Sequence, residues 1–203
     1  MSRLLRSSIA VLLTSIALPL CHLNAEPVDF DTQIVPILSK AGCNAASCHG
    51  ASTGQGGFRL SLFGGDPDLD YRTIVYELSG RRINPKDPAV SLLITKPTEQ
   101  LEHGGGQVLE IDSPAVQTLI EWVSAGSQRL QLRKVERIEV TPSEFSAVDL
   151  PATFRLKVTA IFNDGSRRDV SRTAIYTSQN EADLSVTTDG STTVKGTGRQ
   201  NLI

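Results

Sequence analysis

The chain has 203 residues, 39% of them hydrophobic and 21% charged, with a formal net charge of -2. That length accommodates one large domain or two small ones. The near-neutral charge excludes an electrostatic affinity for nucleic acid or for an acidic membrane surface.

Residues 1–25 read as a signal peptide. Arg3 and Arg6 give a short basic start, Ile9 to Leu20 form an apolar run, and Ala25 offers a small residue for cleavage before Glu26-Pro27. The run is too short to span a bilayer, so no transmembrane segment is expected after cleavage. The bulky Leu20 before Cys21 argues against lipid attachment there. The expected location is outside the cytoplasm, in the periplasm or at the cell surface.

Phe30, Ile34, Ile37 and Leu38 fall at helical spacing and predict a helix from about Asp31 to Lys40, bent or started late by Pro36. It leads into Cys43-Asn44-Ala45-Ala46-Ser47-Cys48-His49-Gly50. Two cysteines followed at once by histidine is the pattern that holds a c-type haem: each thiol adds to a vinyl group, and the imidazole becomes the proximal iron ligand. The spacer holds four residues where two are usual. With Cys21 removed, Cys43 and Cys48 are the remaining cysteines, and a disulfide is their other use in an oxidising compartment. A disulfide has no use for the adjacent His49, and the few histidines and cysteines repeat no finger-like zinc spacing.

Gly54, Gly56 and Gly57 follow, where backbone can run close to a flat ligand. Phe58, Leu60 and Leu62 alternate with polar residues and predict a short extended segment. Asp66-Pro67 starts a helix whose stripe is Tyr71, Ile74, Val75 and Leu78, with Gly80 as its stop. Asp87-Pro88 starts a shorter helix carrying Leu92 and Leu93 and ended by Pro97. Ser113-Pro114 opens a last helix with Val116, Leu119, Ile120 and Val123 on its stripe and Trp122 at its edge, closed by Gly126.

The only methionine is Met1, so the sixth iron position cannot be filled by methionine in the mature chain. His103, in Leu101-Glu102-His103-Gly104-Gly105-Gly106, is the candidate distal ligand; the other reading is a loop histidine beside an open or water-filled position. Arg81 and Arg82 are candidates for the haem propionates through charge-assisted hydrogen bonds, or else surface arginines.

From Val135 the helical stripes cease. Ile138 and Val140 alternate with charged residues, as do Phe154, Leu156, Val158 and Ala160, which predicts strands with one buried face. Asn163-Asp164-Gly165-Ser166 and Asp189-Gly190 are turns, and strands at this spacing indicate a β-sandwich. The basic stretch from Arg129 to Arg137 reads as a solvated surface.

Gly42 to Gly50, followed by Gly56-Gly57-Phe58-Arg59-Leu60-Ser61-Leu62, resembles the cytochrome c-like domain of planctomycete secreted proteins, as do Arg81-Arg82-Ile83-Asn84, Ser91-Leu92-Leu93 and His103-Gly104-Gly105. The C-x4-C-H spacer is a feature of that group. Val140-Thr141-Pro142 and Phe162 to Ser171 resemble a bacterial Ig-like domain of group 2. The resemblance implies a mainly α cytochrome c-like haem domain over 28–127, a linker over 128–134, and an all-β Ig-like sandwich over 135–203. Gly198-Arg199-Gln200-Asn201-Leu202-Ile203 stands where that group has apolar alternation, which implies a truncated product lacking its last strand.

The expected function is an exported mono-haem electron carrier, not an enzyme, with one covalent haem c, an unidentified redox partner protein, and an Ig-like module open to surface-protein or carbohydrate contacts. The competing expectation is a haem-free surface binding or assembly module with a Cys43–Cys48 disulfide. An open-site haem enzyme is the third reading, without an acid–base constellation to support it.

Overall fold

The computed structural model describes residues 26–203; the expected signal peptide, with Cys21 and His22, lies outside the described residues. A π-helical turn, Phe30–Ile34, runs into helix α1, Val35–Lys40. Pro36 has no N–H to donate, so the regular bond back to residue 32 cannot form. The Val35 N–H instead reaches the Phe30 carbonyl.

Helix α2 spans Pro67–Val75, with the Asp66 side chain accepting from the Leu69 N–H at 3.0 Å. It ends before the expected Gly80, because Leu78 and Ser79 adopt left-handed backbone angles (φ 51° and 58°). Leu78 consequently leaves the stripe and is exposed. Helix α3 is one turn, Leu92–Thr95, separated at Ser91 from a 3-10 turn at Pro88–Val90. Helix α4, Pro114–Ser124, is capped by Ser113 as the sequence predicts.

One apolar core joins these elements. Phe30, Ile34, Ile74, Val116, Leu119, Trp122 and Val123 are buried together. The Trp122 ring lies 5.3 Å from Phe30 and 6.4 Å from Tyr71, with its indole N–H donating to the Gln128 carbonyl at 2.9 Å. Tyr71 donates to the Ser127 carbonyl, also at 2.9 Å. Buried Asp70 accepts from the Ser61 N–H (2.5 Å) and hydroxyl (2.7 Å), fixing the segment before α2 to that helix.

The remainder is β structure in two small antiparallel sheets. Strands β1 (Val135–Thr141), β3 (Lys157–Phe162) and β4 (Arg167–Asp169) form one, in the order β1-β3-β4; β2 (Ala152–Arg155), β6 (Ser191–Val194) and β5 (Leu184–Val186) form the other, in the order β2-β6-β5. The run from Phe154 to Ala160, expected as one strand, divides at Leu156 between the two sheets. The Leu156 N–H leaves both ladders and donates to the Gly190 carbonyl at 2.9 Å.

The expectation of a mainly α cytochrome c-like domain followed by an all-β Ig-like sandwich is thus overturned. Among the described residues the architecture is mixed, with four short α-helices and two three-stranded sheets, and much of 41–113 is turn and loop. Left-handed Leu78 and Ser79 cut the second predicted helix short, and Ser91 breaks the third, which ends at Thr95 just before the expected stop at Pro97. The basic linker also differs from expectation. Arg129 clamps Asp31 bidentately (2.6 and 2.9 Å) and pairs with Asp68, while Arg133 pairs with Glu26 and packs over Phe162. Both side chains are largely buried, so they fasten the halves rather than forming a solvated face.

These placements reverse the order expected of two apolar residues: Leu78, expected on a buried stripe, is exposed, and Trp122, expected at a stripe's edge, is fully buried. Trp122→Ala is expected to lower stability by about 3–5 kcal/mol, as for a large aromatic removed from a core. Leu78→Ala is expected to change it by less than about 0.5 kcal/mol, as for an exposed site. Urea unfolding of the two variants measures both.

Candidate functional site

The end of α1 delivers the cysteine loop. Backbone bonds run from the Cys43 N–H to the Leu38 carbonyl (2.9 Å) and from the His49 N–H to the Cys43 carbonyl (3.0 Å). The Leu60 N–H then donates to the His49 carbonyl at 2.8 Å, which ties the loop to a residue of the apolar core. Gly50 is required by contact: a Cβ there would overlap the Asn44 carbonyl. Each predicted attachment residue is therefore held through its backbone.

His49 is half-buried. Its Nδ1 lies 3.0 Å from the Phe58 carbonyl and its ring 4.6 Å from the Phe58 ring. Burial pushes the imidazole pKa below its ordinary value, against the Phe58 carbonyl bond, with the neighbouring His103 and Arg82 charges lowering it further. The neutral ring donates from Nδ1 to the carbonyl, leaving the Nε2 lone pair for a metal. Gly54 protects this arrangement, since at φ +67° a Cβ would overlap the Phe58 carbonyl itself.

His103 repeats the pattern. Its Nδ1 lies 2.7 Å from the Gly106 carbonyl, within the glycine loop that the sequence singles out. The two imidazoles, 54 positions apart in the chain, come together with ring centres 6.2 Å apart and planes inclined by 22°. A single metal bound on opposite sides by two imidazole nitrogens at about 2.0 Å places the ring centres about 6.3 Å apart. The observed spacing suits that arrangement.

Cys43, Cys48, His49 and His103 all line one cavity of about 620 Å³, whose apolar wall includes Leu38, Phe58, Leu93 and Val108. Its size lies in the range of cofactor pockets. Among the described residues no three His, Cys, Asp or Glu side chains cluster as ligands of a metal ion on its own. The donors ring a space instead. A larger cleft of about 960 Å³, lined by Lys40, Arg155, Arg168 and Asp169, contains none of the four.

The two sulfurs are free thiols, both half-buried. Burial, reinforced by the nearby Cys48, pushes the Cys43 thiol up to about 11.

The two arginines part company. Arg81 is exposed on the cavity rim, where it can meet an anionic group. Arg82 is buried, donating to the Thr73 carbonyl at 2.7 Å and the Gly57 carbonyl at 2.8 Å, with its guanidinium 4.5 Å over the Phe58 ring. Its donors are directed at the wall rather than at the cavity. Sequence reasoning missed Phe58, read only as part of an extended segment, although it supplies both the carbonyl and the ring that hold His49. Its place nine residues after His49, beyond the glycine turn, was the available signal.

A thiol held near 11 is about one-thousandth thiolate at pH 8, and the thiolate is the nucleophile. In the haem-free chain, where both thiols are free, Cys43 is expected to alkylate on the order of a hundredfold more slowly at pH 8 than an ordinary exposed thiol, accelerating as pH rises toward 11; peptide mass mapping after timed iodoacetamide treatment measures it. No family model, no curated protein and no solved structure matches this chain, so what the site can do rests on its own geometry.

Proposed function

We propose that the chain is an exported electron-transfer protein carrying one covalent haem c in the cavity between the Cys43–His49 loop and the His103 loop. The observation that carries this reading is the pairing of His49 with His103: two imidazoles, each with Nδ1 on a backbone carbonyl, at the 6.2 Å ring separation that suits one six-coordinate iron. The resemblance of Gly42 to Gly50 to the C-x4-C-H segments of secreted planctomycete proteins supports it further.

In this reading Cys43 and Cys48 would hold the group through thioethers, and His49 and His103 would each supply an imidazole nitrogen to its iron. Haem so bound supplies a one-electron couple at its iron, at a lower potential than a methionine-ligated one. The remaining residues orient and shield. The carbonyls of Phe58 and Gly106 hold a proton on each Nδ1 and raise the basicity of each Nε2. Leu38, Phe58, Leu93 and Val108 keep water from the wall. Arg81, exposed on the rim, would meet a propionate. No acid–base chemistry on a substrate is asked of the protein. Partner proteins accept or deliver the electron at the open side of the cavity.

Expression of the full chain in a bacterium with a c-type maturation system tests the reading. The expected product is red, keeps its haem stain through denaturation, and gives a low-spin ferric spectrum. Cys43→Ala with Cys48→Ala is expected to release the haem to acid–acetone. His103→Ala is expected to convert the spectrum to high spin or to a water-ligated form. Colourless protein with Cys43 and Cys48 joined would overturn the haem reading in favour of the surface module, and an unchanged low-spin spectrum in His103→Ala would remove His103 from the iron.

A further inference from the structure

The charged groups lining the cavity are Arg81, Arg82, Lys96 and Glu102, and of these only Arg82 is buried, at 5% exposure. A guanidinium withdrawn from water at a cofactor pocket needs a reason. The solvation it lost is replaced by the carbonyls of Thr73 and Gly57 and by a longer pairing with Glu77 at 3.4 Å. Two of its contacts, the Gly57 carbonyl and the Phe58 ring, lead to His49. Gly57 precedes Phe58 in the chain, and the Phe58 ring lies between 4 and 5 Å from both the guanidinium (4.5 Å) and the imidazole (4.6 Å). The Phe58 carbonyl is the acceptor for His49 Nδ1. It belongs to a tight turn in which Gln55 and Phe58 exchange two backbone bonds of 3.0 Å, yet Gln55, Gly56 and Gly57 are themselves exposed. Such a turn carries little packing of its own, and Gly56 and Gly57 (φ 57° and 72°) add no side chain to steady it.

We propose that Arg82 is a positioning residue for His49. By gripping the Gly57 carbonyl and covering the Phe58 ring, it fixes the Phe58 carbonyl and so keeps the His49 proton on Nδ1, leaving Nε2 free to bind a metal. The purpose of that placement rests on His49 being the proximal ligand; the placement itself does not. Two interactions converge on one residue, and each suits arginine. The planar fork reaches two carbonyls while its face packs on an aromatic ring, which the single ammonium of lysine cannot do. Removing it leaves two carbonyls without their donor.

The test uses the full haem-free chain labelled with nitrogen-15. Two-bond proton–nitrogen correlations of the His49 imidazole at about pH 8, where burial keeps that ring neutral, report its tautomer directly. Wild type is expected to show His49 with its proton on Nδ1. Arg82→Gln is expected to move more than half of the population to the Nε2 proton, the form a free side chain prefers. Arg82→Lys is expected to lie between, and Lys86→Gln, at an exposed position outside the cavity, to match wild type. An Nε2 proton on His49 in wild type overturns the proposal, as does a retained Nδ1 proton in Arg82→Gln. If Arg82→Gln does not fold, Arg82→Lys decides, an undiminished Nδ1 population being the overturning result. In haem-loaded protein, Arg82→Gln is further expected to broaden the low-spin electron paramagnetic resonance lines, because the His49 ring takes several orientations. The tautomer is read without haem, so a chain that never binds haem defeats the electron-transfer reading and leaves this one open to its own measurement.

Discussion

The packing of Trp122 against Phe30 and Tyr71 is the constraint on which the N-terminal half depends. None of its helices can stand alone: α1 has six residues, α3 four, and even α4 only eleven, all below the length at which an isolated helix holds in water. Their stability comes from the shared core. Two further bonds brace it, from the Trp122 indole to the Gln128 carbonyl and from the Tyr71 hydroxyl to the Ser127 carbonyl, so the chain leaving α4 is tied back over α2. The position of α1 then sets the site. Its last turn accepts the Cys43 N–H at Leu38, and the chain of bonds through His49 ends at buried Leu60. A loop with little regular structure of its own is thereby anchored at both ends to the same core.

The site itself is organised by carbonyl oxygens rather than by charge. His49 meets that of Phe58, with a weaker influence from the Gln55 backbone, His103 meets that of Gly106, and Arg82 meets two more. A carbonyl acceptor fixes a tautomer without adding a formal charge beside the ring, so the burial that keeps His49 neutral is not opposed by a carboxylate. Glycine makes those carbonyls reachable. At Gly54 a side chain would displace the Phe58 oxygen, and at Gly50 the backbone crosses Asn44 too closely for any Cβ. The glycine content around the motif thus serves contacts within the loop, and not only approach to a flat ligand.

What was legible in the sequence was whatever depended on neighbours in the chain. Helix α4 follows from its Ser113 cap, Pro114 start and apolar stripe, and the turns at Asn163 to Ser166 and at Asp189-Gly190 follow from their residues. The grouping of Cys43, Cys48 and His49 was legible for the same reason, and His103 by the shortage of other candidates. What was not legible depended on distant partners. The end of α2 at Val75 is set by left-handed Leu78 and Ser79, residues with no compositional mark of a turn. The burial of Arg82 is decided by carbonyls nine and twenty-five residues away. Arg129 and Arg133 look like surface charges until Asp31, Asp68 and Glu26 are brought to them. The division of the Phe154–Ala160 run arises because Leu156 bonds to Gly190 from another hairpin, although the alternation of buried positions continues through it.

The two halves meet mainly through polar and charged groups. Besides the linker arginines, Lys40 donates to the Ala174 carbonyl and lies 5.0 Å from the Tyr176 ring, and Arg168 donates to the Thr32 hydroxyl at 3.2 Å. Interfaces of this kind resemble transient protein–protein contacts more than a core. Both Lys40 and Thr32 belong to the continuous segment from the π-helical turn through α1, the same segment whose Leu38 carbonyl holds Cys43. Only one residue, Ser39, separates the position that grips the β half from the one that holds the cysteine loop. Lys40 is also the residue whose ammonium burial disfavours, its pKa being lowered by desolvation against the pull of Asp189. A change in how the β half seats on Lys40 therefore has a short covalent route, the last turn of α1, to the backbone of Cys43 and through it to His49.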